Sequence, residues 1–164
     1  MRVKNYLSLI KFSHTIFAMP FALIGFFLAV QHAVPLNTLF ESPFSYFIEG
    51  QEITGLNPAL KLYLKLLCLV ILCMIFARSA AMAFNRYIDR KFDEKNKRTA
   101  IREIPSGIIT PQNALLFVII NCMLFITTTY FINRICFFLS PVALLVVLGY
   151  SYTKRFTALC HLIL

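Results

Sequence analysis

Residues 62–93, LYLKLLCLVILCMIFARSAAMAFNRYIDRKFD, begin as a long apolar run whose charges are Lys65 and Arg78 and end as a mixture of acids, bases and aromatics. The apolar part, from about Leu62 to Phe84, is long enough as a helix to cross a ~30 Å hydrocarbon core, because a helix rises about 1.5 Å per residue. Three further stretches of the same kind flank it, from about Phe12 to Gln31, Ala114 to Ile132 and Ile135 to Tyr150. None shows the period-two alternation of a barrel strand, so helices that satisfy their own backbone are the remaining spanning solution. Hydrophobic residues make up 59% of the chain and charged residues 14%, whereas a soluble domain carries about a quarter charged. The solvent of this fold is therefore lipid, and the expectation is an all-α, multi-spanning transmembrane helical bundle. A last apolar run, Phe156 to Leu164, reads as the start of a fifth span, which makes residues 1–164 the N-terminal part of one transmembrane domain.

The net charge of +9 is not spread as a nucleic-acid-binding face would be. Arg2, Lys4 and Lys11 precede the first span, a run from Arg86 to Arg102 lies between the second and third, and Lys154 and Arg155 follow the fourth. If the spans alternate, these all fall on one side. The opposite side carries Glu41, Glu49 and Glu52 in the long irregular segment 32–60, with Arg134 in its other turn. The positive-inside rule then predicts a multi-pass protein of the inner (plasma) membrane with its N-terminus and basic loop in the cytoplasm. Lys61 and Lys65 open the second span on the far side, where long ammonium side chains snorkel to the interface. A cleavable signal is the lesser reading of the first run, because it is long and more spans follow. The cysteines Cys68, Cys73, Cys122, Cys136 and Cys160 have no zinc-type spacing and read as small buried hydrophobes.

Within 78–107 the polar residues fall at helical spacing. Asn85, Asp89 and Asp93 are four apart, which confines them to a sector of about 80° on one helix face, and Arg78 lies about 20° from Asn85 on the same wheel. An arginine inside an apolar span costs about 2.5 kcal/mol or more and faces a polar cavity or a partner, or else snorkels. Two carboxylates one turn apart offer too few oxygens to cage a cation alone. Mg²⁺ takes one or two carboxylates and completes its shell with water and phosphate oxygens, so the implied ligand is a diphosphate. Lys97, Arg98 and Arg102 are placed to pair with phosphate oxygens left uncovered. The plainer reading is a solvated juxtamembrane helix with ordinary surface pairs among Asp89, Asp93, Arg86, Arg90 and Lys97, worth a few tenths of a kcal/mol each.

The pattern Asn85-x3-Asp89-x3-Asp93, followed by Lys97-Arg98-Thr99 and Arg102-x2-Pro105-Ser106-Gly107, resembles the first aspartate-rich motif of the UbiA superfamily. Arg78 stands where that family usually has Arg, and Tyr150-x3-Lys154 is similar to its YxxxK element. The segment Ser13 to Phe27 resembles the first span of the 4-hydroxybenzoate polyprenyltransferase-like branch. The likeness covers the chain except the long external loop. It implies a bundle of about nine helices around a lipid-open cavity, with a second DxxxD motif that this sequence does not contain. It also implies Asp89 and Asp93 as catalytic acids, and Asn85, Asp89 and Asp93 as Mg²⁺ ligands. Arg78, Asn85, Lys97, Arg98, Arg102, Tyr150 and Lys154 become substrate-binding residues, and the substrates a polyprenyl diphosphate and an aromatic acid acceptor used in quinone synthesis. For Tyr150 and Lys154 an interfacial anchoring role is the competing reading, and for His14 local packing competes with a contact to the acceptor.

Two other functions compete. A CDP-alcohol phosphatidyltransferase also uses DxxxD in membrane helices, but its upstream Asp-Gly and Ala-Arg pattern is missing from RSAAMAFNRYID. A non-catalytic membrane fragment is the third, since the chain carries a single acid motif.

Overall fold

The computed structural model describes residues 3–33, 45–48, 51–54 and 58–153. Short helix α1, Val3–Leu9, is followed by α2, Phe12–Ala33. A hairpin of β1, Ser45–Ile48, and β2, Gln51–Thr54, precedes α3, Pro58–Lys95, then α4, Pro111–Ile132, and α5, Arg134–Thr153. The all-α bundle expected from the apolar runs is what forms. Leu60–Lys95, Pro111–Ile132 and Arg134–Tyr152 are long and apolar enough to cross a membrane, while the described apolar stretch of α2 is the shorter Thr15–Val30. The run expected to open a fifth span lies outside the described residues.

One local feature departs from the sequence reading. The segment read as wholly irregular contains an antiparallel hairpin with Ser45 opposite Thr54 and Ile48 opposite Gln51. Aromatic and β-branched residues dominate SYFI and supply half of QEIT, which suits a pleated surface. Helix α3, as the shared wheel of Arg78 and the stripe requires, does not stop where its apolar run ends. It continues unbroken for 38 residues, so the acids stand on the same rigid element as the span.

Local chemistry fixes the other boundaries. Thr110 caps α4, its hydroxyl accepting from Asn113 N at 3.3 Å, and Pro111 takes the first helical position, where no backbone donor is needed. Asn133 is the only residue between α4 and α5. Its N–H donates to Thr129 O at 3.2 Å, its own carbonyl accepts from Phe137 N at 3.0 Å, and its side-chain oxygen accepts from Ile135 N. One residue thus ends one helix and starts the next.

Helices α3 and α4 approach through Ala80, Ala83 and Ala114, all fully buried, since small side chains let helix backbones come close in a membrane. They join Leu9, Ile10, Ile104, Ile109 and Val118 in one core at a single end of the bundle. Elsewhere Phe17, Leu72, Met123, Phe138 and Leu145 point outward, the pattern of a surface solvated by lipid. Along α4 the Asn121, Thr128 and Thr129 side chains donate to carbonyls three or four residues back, so these polar groups need no water.

Candidate active site

At the cored end of the bundle lies a cavity of about 400 Å³. Lys11 from the α1–α2 junction, Asn85 and Arg86 from α3, Arg102 from the α3–α4 connection, and Tyr150 and Ser151 from α5 line it, beside apolar Ala81, Met82 and Val147. Cations from two of the three basic segments, Lys11 from the first and Arg86 and Arg102 from the second, therefore meet beside the end of α5, while Lys154 and Arg155 of the third lie outside the described residues. Among the described residues, three cations and no acid line the cavity, so their field favours an anion.

The connection that delivers Arg102 is a chain of tight turns. Asn96 O accepts from Thr99 N at 2.9 Å and from Ala100 N at 2.8 Å, Thr99 O accepts from Arg102 N at 3.0 Å, and Arg102 O accepts from Ser106 N at 3.0 Å. Gly107 sits at φ +75°, a left-handed position that glycine takes without a Cβ clash. Ile104 and Ile109, buried to 5% and 1% exposure, pin the segment to the core. The Thr99 hydroxyl donates to Asp93 O at 2.9 Å, closing the start of the connection onto α3.

Asn85, Asp89 and Asp93 follow one another along α3. Asn85 is half-buried and lines the cavity, Asp89 is half-buried, and Asp93 is buried. Arg102 Nη1 donates to both Asp93 oxygens at 2.8 Å. Arg102 is thus at once a cavity wall and the partner of the last stripe acid, joining the two features. This differs from a solvated helix with pairs along its own face. Arg90 turns back on Tyr87, donating to its carbonyl at 2.7 Å with the guanidinium 4.2 Å from the ring centre, and Arg86 pairs with Glu103.

The structure brings together Asn85, Arg102 and Tyr150 of the expected residues around the cavity. Lys97 and Arg98 are exposed and are not among its lining residues. Arg78 is half-buried within the span, and its Nε is buried without a hydrogen-bond partner among the described residues. Lys154 lies outside the described residues. Lys11, Arg86, Ser151 and Glu103 were not expected. Lys11 and Ser151 arrive by tertiary packing that no local spacing announces, whereas Arg86 and Glu103 stand inside the motif segment as an unmatched cation and anion.

Among the described residues, no group of three or more His, Cys, Asp or Glu side chains gathers around a metal position. The donors along the stripe are oxygens alone, two carboxylates and an amide. That set fits a hard cation which takes few protein ligands and completes its shell from water and phosphate.

A helical membrane protein with a basic cavity beside a stripe of hard oxygen donors defines the class. The sequence profile of the UbiA prenyltransferase family matches residues 54–164, and the chain belongs to that family. It is 35% identical over 100 residues to a 4-hydroxybenzoate octaprenyltransferase from Aliivibrio salmonicida, covering 60% of this chain and 34% of the relative. It is 38% identical over 87 residues to the protein of that name from Tolumonas auensis, covering 53% of this chain and 30% of the relative. The chain spans about a third of the length of the curated relatives it matches. The apo structure of a UbiA homolog from Aeropyrum pernix superimposes with a TM-score of 0.67 at 26% identity, covering 92% of this chain and 44% of that one.

Proposed function

We propose that residues 1–164 form the N-terminal part of a transmembrane prenyltransferase domain. Its reaction is the magnesium-dependent transfer of a polyprenyl group from polyprenyl diphosphate to a 4-hydroxybenzoate-like acceptor in quinone biosynthesis. The observation that carries this reading is Arg102, which belongs both to the basic cavity and to the acid stripe. Family membership and the named relatives support the reaction class.

In this reading Asn85, Asp89 and Asp93 hold the metal, and Arg102, Arg86 and Lys11 face the diphosphate. Bound Mg²⁺ supplies positive charge against the departing diphosphate. As the carbon–oxygen bond breaks, negative charge grows on the leaving group, so the fixed cations stabilise the transition state more than the ground state. Asp93, now paired with Arg102, would hold Mg²⁺ through the same carboxylate, and the Arg102 guanidinium would then be available to a phosphate oxygen. Ala81, Met82 and Val147 keep water from the allylic cation on the apolar side. Tyr150 orients the bound substrates, and Arg78, Lys97, Arg98 and Lys154 contribute further positive charge along the approach. The distribution of Lys and Arg supports a plasma (inner) membrane location with this end of the bundle in the cytoplasm.

The test is magnesium-dependent transfer of a radiolabelled prenyl group to 4-hydroxybenzoate by membranes carrying the protein, with Asp89→Ala and Asp93→Ala alongside. Wild-type rates in those variants reject the proposal. Binding of Mg²⁺ and diphosphate without turnover would instead assign this chain a half-site.

A further inference from the structure

Glu103 plays no part in the chemistry above, yet both of its carboxylate oxygens are committed. Oε1 accepts from the Ser8 hydroxyl of α1 and Oε2 from Arg86 Nη1 of α3. The Arg86 and Glu103 side chains are 10% and 13% exposed, so this is an ion pair largely removed from solvent, not a surface contact. Arg86 lines the cavity; Glu103 is not among the lining residues.

We propose that Glu103 is a positioning residue for the anion site, holding the Arg86 guanidinium at the cavity wall and tying α1 to the same point; the proposal rests on the diphosphate reading above. Both ends of this tie are rooted in the core. Ile104, next to Glu103, and Leu9 and Ile10, next to Ser8, belong to one buried cluster, and Tyr6 packs on Phe117 with ring centres 5.1 Å apart. Directly after Ile10, Lys11 adopts φ 43°, a left-handed backbone that a residue with a side chain keeps only when its surroundings hold it there. Lys11 then enters the cavity wall. Through Ser8 and Arg86, one carboxylate therefore orders two of the three cations that line the cavity among the described residues. The third, Arg102, is its neighbour in the chain.

The sign of a single substitution separates positioning from simple charge. A carboxylate near an anion site repels the anion, so on charge alone Glu103→Gln tightens binding. Positioning predicts the reverse, because an unheld guanidinium loses its aim at the cavity. Isothermal titration of the detergent-solubilised chain with inorganic pyrophosphate at fixed Mg²⁺ reads this directly. The expected result is binding weakened by about tenfold, the low end for loss of a supporting partner. Tighter or unchanged binding overturns the proposal. The swapped pair Arg86→Glu/Glu103→Arg restores the ion pair without a cation at the cavity wall. It is expected to recover the thermal midpoint but not the affinity, and recovered affinity would leave Glu103 a packing role only. Should Glu103→Gln not fold, Arg86→Lys keeps the charge but lacks the fork that bridges carboxylate and cavity. It too must weaken binding, and unchanged affinity refutes the idea. Asp89→Asn runs in parallel. If it leaves pyrophosphate binding intact, the diphosphate reading itself fails; if it abolishes binding while Glu103→Gln has no effect, only the positioning role fails.

Discussion

Replacing Arg102 with Gln removes the two 2.8 Å hydrogen bonds that hold the Asp93 carboxylate and leaves that acid buried without its cation. The Asp93 side chain is 10% exposed and that of Arg102 33%. Breaking a fully buried pair costs about 3–5 kcal/mol, but water reaches the arginine here, so the screened loss is about 2 kcal/mol. For a chain of this size each kcal/mol moves the thermal midpoint by roughly 2–4 °C, giving a fall of about 4–8 °C followed by far-ultraviolet circular dichroism in detergent. Asp93→Asn alone is milder, about 1 kcal/mol, because the freed guanidinium can turn to water. In the double variant the two amides can pair, and the losses fall short of additivity by about 1–2 kcal/mol. A shift below about 1 °C for Arg102→Gln, or a coupling below about 0.5 kcal/mol, would show Asp93 and Arg102 to be an ordinary surface pair and remove the link between stripe and cavity.

Arg102→Gln also frees Asp93, so titration with Mg²⁺ alone should show tighter binding than wild type while Mg²⁺ with pyrophosphate binds more weakly; shifts of the same sign would contradict the exchange. Gly107→Ala should lower the thermal midpoint, by about 1–2 kcal/mol of left-handed backbone strain, since a Cβ there meets nothing within 4 Å and no steric clash contributes. Ala83→Leu, at a fully buried position, should destabilise by about 1–3 kcal/mol through overpacking and weaken pyrophosphate binding by displacing α3 from α4; an unchanged midpoint would mean the helices are not close-packed there.

The membrane-spanning elements were legible because their signal is local, an apolar run of sufficient length. The hairpin at 45–54 was not, because the glycines and prolines around it argued for irregular chain and its strands are only four residues each. The stripe was legible for the same local reason. Asn85, Asp89 and Asp93 are one turn apart on a single helix, and that spacing survives any packing. Arg102 was expected near phosphate, but its grip on Asp93 depends on how the 96–110 turns fold back, and no periodicity encodes that. Lys11 and Ser151 come from segments distant in sequence, and only the meeting of α1, α3 and α5 ends places them together. Lys97 and Arg98, marked by the same motif as Arg102, are exposed instead, since the turn that buries Thr99 faces them outward.

The central claim is that the α3 stripe and the basic cavity together hold a metal-bound diphosphate. Titration of inorganic pyrophosphate into the solubilised chain, with and without Mg²⁺ and with Asp89→Asn and Asp93→Asn, tests it most directly. The account predicts binding that needs Mg²⁺ and weakens by at least about tenfold in each variant. Pyrophosphate that binds equally well without Mg²⁺, or with both acids neutralised, would contradict it.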